Sequence, residues 1–254
     1  KCMEYVKSAH LNKFVRGAVE QIHVWKITVF VLLILCAKLI MMQEYSRRNS
    51  WRNKMKEFCI NNGWIQITNR CNLKCKYCYM DANKNLLDLS FSRFEEIIKK
   101  FQVLGIRNVM LSGGEPCLHR DIVKMITYLS EHGLKVGLVT NGTICSQELL
   151  QCLEENSVTV QVSVDSVEQE GYFYSRGVNK LETVLKIIKK MQEKNIELSL
   201  SNTLNNYTIE KVNTIVNYAL ENRIHTLHFC FLIPSDRCKR NNVNMHGVSS
   251  VLRE

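Results

Sequence analysis

From Trp64 to Leu232 the sequence alternates short apolar runs with longer stretches of helical periodicity, and this alternation constrains the fold more than any other feature. The runs Trp64–Asn69, Asn108–Ser112, Lys135–Asn141, Val158–Val164, Ile196–Asn202 and Thr226–Leu232 are rich in β-branched and aromatic residues, as strands buried on both faces are. Between them, Ser92 and Glu95 read as a capping box ahead of Phe94, Ile97, Ile98 and Phe101 on one helical face. Further helices fit Asp121–His132, Ser146–Asn156, Asn179–Lys194 and Thr208–Asn222, with Gly105 and Gly133 where C-caps are expected. Strands alternating with helices require crossover connections and a parallel sheet. Periodicity does not distinguish an open sheet from a barrel, but in both forms ligands gather at the carboxyl ends of the strands.

The first sixty residues have another pattern. Ile27 to Ala37 is apolar apart from Thr28, eleven residues in all, whereas a membrane-spanning helix needs roughly twenty. Residues 23–42 reach that length only by admitting Lys26 and Lys38. A packed or peripheral helix is the favoured reading, with membrane contact through 23–42 as the alternative. The basic residues Arg47, Arg48, Arg52, Lys54 and Lys56 would keep the core domain on the cytosolic side. The chain opens at Lys1 and stops in a polar run, so a piece of a longer protein is expected. The expected organisation is an N-terminal helical extension (1–60), a core domain (61–236) and the start of a C-terminal extension (237–254).

The 254-residue chain has an apolar fraction of 46%, which argues against disorder. Its formal charge of +10 suits anionic partners in general without choosing among nucleic acid, lipid and acidic peptide, and there is no specific nucleic-acid signal. Eleven cysteines beside only two prolines and long periodic segments suit a cytoplasmic protein using thiolates for metal or catalysis better than a secreted disulfide scaffold.

Three of those cysteines stand where the first strand ends. Cys71, Cys75 and Cys78 have the spacing C-x3-C-x2-C, so one tight loop can wrap three thiolates around a metal centre. Soft thiolates favour iron–sulfur clusters, zinc or copper. Structural zinc normally takes a fourth ligand at comparable spacing, and no His or Cys lies close by in sequence. Three ligands leave one iron of a cubane open. Burial of these cysteines as small hydrophobes is opposed by Lys74 and Lys76 between them.

Thr68-Asn69-Arg70-Cys71-Asn72-Leu73-Lys74-Cys75-Lys76-Tyr77-Cys78-Tyr79 resembles the cluster loop of the radical S-adenosylmethionine (SAM) superfamily, in particular its SPASM-type branch of peptide maturases and sulfatase-maturating enzymes. The likeness runs from Trp64 to Pro234. It implies an α/β fold, a partial (β/α)6 TIM-like barrel, with a [4Fe–4S] cluster on the three cysteines and SAM bound to the open iron. It also implies an electron donor such as flavodoxin or ferredoxin, and reductive cleavage of SAM to a 5′-deoxyadenosyl radical that abstracts a substrate hydrogen.

The other strand ends carry matching motifs. Leu111-Ser112-Gly113-Gly114-Glu115-Pro116 is by itself a turn whose glycines permit close approach. The resemblance implies that Gly113, Gly114 and Glu115 hold the SAM amine. Thr140-Asn141-Gly142-Thr143 is a turn that the resemblance places along the SAM cavity. Ser163 and Asp165 should point the same way by strand alternation and resemble the family's Ser-x-Asp element, while Arg176 stands where related maturases direct an arginine at the SAM carboxylate. A helix-capping Asp165 and a solvated Arg176 are the plainer alternative. Asn202, at the end of the fifth strand, is implied at the ribose and Tyr77 near the adenine.

Cys117 and Cys230 are candidate hydrogen-atom donors to a substrate radical, although burial is the commoner fate of a free cysteine. Three readings remain open: a radical SAM enzyme acting on a peptide or protein, one acting on a small metabolite or lipid precursor, and a non-catalytic metal-binding module.

Overall fold

In the computed structural model, residues 60–84 and 86–245 are described. Six parallel strands form one sheet: β1 (Asn62–Thr68), β2 (Asn108–Gly113), β3 (Lys135–Thr140), β4 (Thr159–Ser163), β5 (Leu198–Leu204) and β6 (Thr226–Phe231). The helices are α1 (Phe91–Val103), α2 (Ile122–Glu131), α3 (Gln147–Glu155), α4 (Gln169–Arg176), α5 (Leu181–Glu193), α6 (Val212–Glu221) and α7 (Asp236–Arg240).

Strand order follows sequence order from β1 to β6 without reversal. Every crossover therefore steps in the same direction, and because such crossovers are right-handed the helices gather on one face. A doubly wound sheet would reverse its order and cover both faces. The arrangement is a partial (β/α)6 barrel, left open because β1 and β6 are the two edges.

Burial follows the same division. Ile65, Ile67, Val109, Leu111, Val136, Leu138, Val160, Val162, Leu200 and Leu204 are buried and share one face by register. Of the alternate positions, Gln66, Met110, Val139, Gln161, Ser163 and Thr203 are half-buried, Trp64, His228 and Cys230 are exposed, and the small Ser112, Ser199 and Ser201 are buried. The apolar face packs under helices such as α1, which contributes Phe94, Ile98 and Phe101, each worth about 1.5–3 kcal/mol of burial. The other face forms an accessible concave wall.

The helix starts differ from expectation at one cap. Ser90, not Ser92, is the N-cap of α1, its hydroxyl accepting from the Arg93 N–H. The earlier start brings Phe91 into the helix, where its ring meets Tyr128 edge-on at 5.6 Å. α3 begins after its cap Ser146, and Gly105 and Gly133 adopt left-handed φ of 79° and 70° just past α1 and α2. β5 begins two residues later than its apolar pattern, because Asn195 turns through φ 54° and the Ile196 N–H still closes α5 on the Met191 carbonyl. Thr208 opens a short 3-10 turn ahead of α6.

α4 and α7 have no counterpart in the periodic reading, being eight and five residues long with few apolar positions. The N-terminal extension and the run 23–42 lie outside the described residues, as does the end of the C-terminal extension. Among the described residues, no helix is long and apolar enough to cross a membrane.

Candidate active site

The loop that leaves β1 with Cys71, Cys75 and Cys78 is gripped from several strand ends. From β2, the Gly114 N–H donates to the Thr68 carbonyl at 2.9 Å and the Glu115 N–H to the Arg70 carbonyl at 2.7 Å. A Cβ on Gly114 would lie 2.3 Å from the Arg70 oxygen, and one on Gly113 2.4 Å from that of Thr68, so only glycine permits this approach. From the end of β3, Asn141 Nδ2 donates to Asn72 Oδ1 at 2.9 Å, and Asn72 Nδ2 to the Thr143 hydroxyl at 2.7 Å. The Lys76 N–H donates to the Ser175 carbonyl on α4 at 3.1 Å. α7 closes the ring: the Cys238 thiol lies 3.7 Å from the Tyr77 carbonyl, and Arg237 pairs with Asp81 at 2.7 Å.

Glu115 is fully buried and its carboxylate is already engaged. It accepts from the Thr140 hydroxyl and the Asn141 N–H, both at 2.7 Å, and from the Cys117 N–H at 3.1 Å. Burial pushes its pKa up, while the bonds from Asn141, Thr140 and Cys117 pull the other way. Glu115 thus splices the ends of β2 and β3 together, a job its motif did not announce.

The three thiols are half-buried and near enough to perturb one another. Burial, aided by Cys75, Glu115 and Cys78, pushes the Cys71 thiol up to about 11, and burial also raises Cys75. The Leu73 N–H approaches Cys71 Sγ at 3.4 Å, Asn141 Nδ2 lies 4.0 Å from it, and an Arg176 nitrogen is 3.9 Å from Cys75 Sγ. Soft donors on one loop, with N–H groups aimed at their sulfurs, suit an iron–sulfur cluster, whose potential such donors help set. Among the described residues no three His, Cys, Asp or Glu side chains converge closely enough for a single metal ion. A cubane makes no such demand, because each thiolate binds a different iron. The donor set fits.

Behind Cys75 lies a buried polar group. Asp165 is fully buried, its Oδ2 lies 2.7 Å from Arg176 Nε, it accepts from the Tyr77 hydroxyl, and its Oδ1 accepts from the Thr203 N–H at 3.1 Å. Arg176 is buried as well, so it is not a solvated arginine, and Asp165 caps no helix. Burial alone would lower the Arg176 pKa, but Asp165, Tyr77 and Cys75 carry it well above its ordinary value. Asn202 donates to the Asp165 carbonyl at 2.9 Å and leaves its own Oδ1 buried without a partner among the described residues. β4 ends at Ser163, so strand alternation does not extend to Asp165: Ser163 is half-buried on the concave wall while Asp165 is enclosed.

The two candidate hydrogen donors separate cleanly. Cys117 is half-buried, donates to the Thr140 hydroxyl at 3.4 Å, and has its thiol pKa pushed well up by burial. Cys230 is exposed on β6, with its Sγ 3.6 Å from the Ser201 hydroxyl. Sequence reasoning missed Tyr172, a fully buried tyrosine whose hydroxyl has no partner among the described residues and whose pKa burial pushes up to about 12 beside Arg176 and Cys75. Its position four residues before Arg176, on one face of α4, was the available signal. Asn72 and Tyr79 were also missed; Tyr79 lies within hydrogen-bonding reach of Gln66 on the concave wall and close to Cys230.

Known proteins resemble this chain in sequence and in fold. A family profile described as the Radical SAM superfamily matches residues 65–234. The probable GTP 3′,8-cyclase of Sulfurisphaera tokodaii is 29% identical over 196 residues, covering 75% of this chain and 63% of that protein. In fold, the chain is similar to Streptococcus suis SuiB bound to precursor peptide SuiA, with a TM-score of 0.63 and 19% identity over 79% of this chain and 49% of that one. It is also similar to a histidine-tagged anSMEcpe with bound AdoMet, with a TM-score of 0.61 and 22% identity over 68% and 51% of the two chains. The chain thus spans about half to two-thirds of the length of these proteins.

Proposed function

The chain belongs to the radical SAM superfamily of enzymes, which bind a [4Fe–4S] cluster and SAM, and from that premise we propose that Cys71, Cys75 and Cys78 hold the cluster in a core spanning 61–236 that modifies a peptide or protein side chain. The observation that carries this reading is the three-thiol loop fastened by Gly114 and Glu115 to the carboxyl end of β2, with N–H groups directed at its sulfurs. When bound, the cluster and SAM supply reductive cleavage of SAM to a 5′-deoxyadenosyl radical, fed by a one-electron donor of the flavodoxin or ferredoxin class.

The protein's own residues orient and enclose. Gly113 and Gly114 give backbone access at the loop, and Glu115 fixes the neighbouring strand ends so that SAM meets a rigid floor. Arg176 offers a guanidinium for a carboxylate, and the partnerless Oδ1 of Asn202 and hydroxyl of Tyr172 offer further polar contacts at buried positions. Ser163 stands half-buried on the concave wall. The eight described cysteines are all free, which suits a reducing cytoplasmic setting.

Two features support a peptide or protein substrate. The sheet is not closed between β1 and β6, which leaves two strand edges for an extended chain to approach. The concave wall mixes uncharged polar residues with apolar ones: Gln66, Gln161, Ser163 and His228 stand beside Trp64, Met110, Val139 and Cys230, and the one charged strand residue of that register, Lys135, sits at the far, amino-terminal end. A wall of this kind offers a peptide both amide hydrogen bonds and apolar contacts, and its strands offer no cation to a triphosphate at their carboxyl ends. The likeness to the GTP 3′,8-cyclase supports the second reading, a small metabolite.

The test is direct. Anaerobically reconstituted protein is expected to hold about four iron per chain and to release 5′-deoxyadenosine from SAM under dithionite. Cys71→Ala, Cys75→Ala and Cys78→Ala are each expected to abolish the release. Zinc uptake without SAM cleavage would overturn the proposal.

A further inference from the structure

The ion pair between Asp165 and Arg176 is enclosed almost completely, with 0% and 7% of the two side chains exposed. A pair desolvated this far is costly to maintain unless the surroundings use both charges. Three bonds hold it in place. The Tyr77 hydroxyl and the Thr203 N–H fix the carboxylate from the cluster loop and from β5, and Asn202 anchors the Asp165 backbone. One guanidinium nitrogen is left directed at the sulfur of Cys75, 3.9 Å away. Gly177, left-handed at φ 73°, ends α4 immediately after Arg176, and the Ser175 carbonyl accepts from the Lys76 N–H, so the backbone that carries Arg176 is tied to the loop.

We propose that Asp165 and Arg176 form a charge-setting pair for the cluster, acting through Cys75 before any SAM is bound, with Asp165 as a positioning residue rather than a SAM ligand. This rests on the cluster assignment of the preceding section. One-electron reduction adds one negative charge to the cluster and its thiolates. A guanidinium beside Cys75 favours that added charge, and a carboxylate opposes it; in a water-poor site neither influence is strongly screened. Removing each partner should therefore move the potential of the SAM-free cluster in opposite directions.

The opposite signs separate this proposal from two others. A SAM ligand and nothing more would change SAM affinity and leave the SAM-free cluster untouched. A merely structural pair would loosen the loop in either variant, admit water in both, and shift the potential the same way.

The experiment is a dithionite redox titration of the reconstituted, SAM-free protein, followed by electron paramagnetic resonance, with iron content measured in parallel. Arg176→Gln is expected to lower the midpoint, Asp165→Asn to raise it, and Arg176→Lys, which keeps the charge, to stay nearer the unmodified protein than Arg176→Gln does. Tyr77→Phe leaves both charges in place and is expected to move the midpoint less than either charge-removing variant. Shifts of the same sign in Arg176→Gln and Asp165→Asn, or no shift in either, would overturn the proposal. If Asp165→Asn does not fold, the Gln and Lys variants at 176 still decide it, since equal midpoints for those two would be fatal. Failure of the cluster assignment looks different, because the unmodified protein would then give no iron–sulfur signal to titrate.

Discussion

The Thr140 hydroxyl donates to the Glu115 carboxylate at 2.7 Å, joining the end of β3 to the end of β2 directly beneath the cysteine loop. With the Asn141 N–H on the other carboxylate oxygen, this single side chain sets the spacing of two strand ends. Because burial raises the Glu115 pKa above its ordinary 4.5, its contribution to stability is fully present below that value and lost as pH rises through the raised one. Glu115→Gln carries no such titration. The stability gap between the unmodified apo-protein and Glu115→Gln is therefore expected to be widest in acid and to narrow with rising pH, as measured by denaturant melts across that range.

Close approach at the glycines makes a second prediction. Gly114→Ala would drive a Cβ to 2.3 Å from the Arg70 carbonyl oxygen, a backbone atom that moves only with the loop. An overpacking cost of about 1–3 kcal/mol is expected, together with reduced iron loading. Gly133→Ala meets nothing within 4 Å but must adopt φ +70°. It is expected to cost about 1 kcal/mol and leave iron loading intact. Iron content and thermal melting of both variants distinguish the two mechanisms.

Thiol chemistry separates Cys230 from Cys117. The thiolate is the reacting form; Cys117 has its pKa pushed well up by burial and donates to Thr140, whereas Cys230 is exposed. Iodoacetamide labelling of the apo-protein, read by peptide mass spectrometry, is expected to modify the exposed Cys230 well before Cys117.

Capping of α1 gives a test of the fold itself. Ser90→Ala removes the bond from the Arg93 N–H and is expected to cost about 1 kcal/mol. Ser92 is exposed, and Ser92→Ala is expected to stay within about 0.5 kcal/mol of the unmodified protein. Urea unfolding measures both.

Much of this architecture was legible in the sequence, for identifiable reasons. Five strands with one buried face, and β6 with its aromatic residues largely exposed, all read as short β-rich runs, so all six appeared within two residues of their true ends. Whether they formed an open sheet or a barrel was not legible, because that depends on strand order and not on periodicity. α4 was missed because eight residues with only Tyr172, Ser175 and Arg176 buried carry little apolar rhythm. At the site, the cysteine spacing announced the loop, and the glycines announced a close approach. The roles of Glu115 and Asp165 were hidden for a common reason: a carboxylate's partners are set by tertiary contacts, here Thr140 and Asn141 for one and Arg176 and Thr203 for the other. Motif position cannot reveal them.

Whether Cys71, Cys75 and Cys78 hold a cluster with one iron open to SAM is read from the electron paramagnetic resonance spectrum of the reconstituted, dithionite-reduced protein with and without SAM. A [4Fe–4S] signal whose shape changes when SAM is added, and which is absent from Cys75→Ala, is the expected result. A signal indifferent to SAM, or no iron–sulfur signal from protein loaded with iron and sulfide, would contradict it.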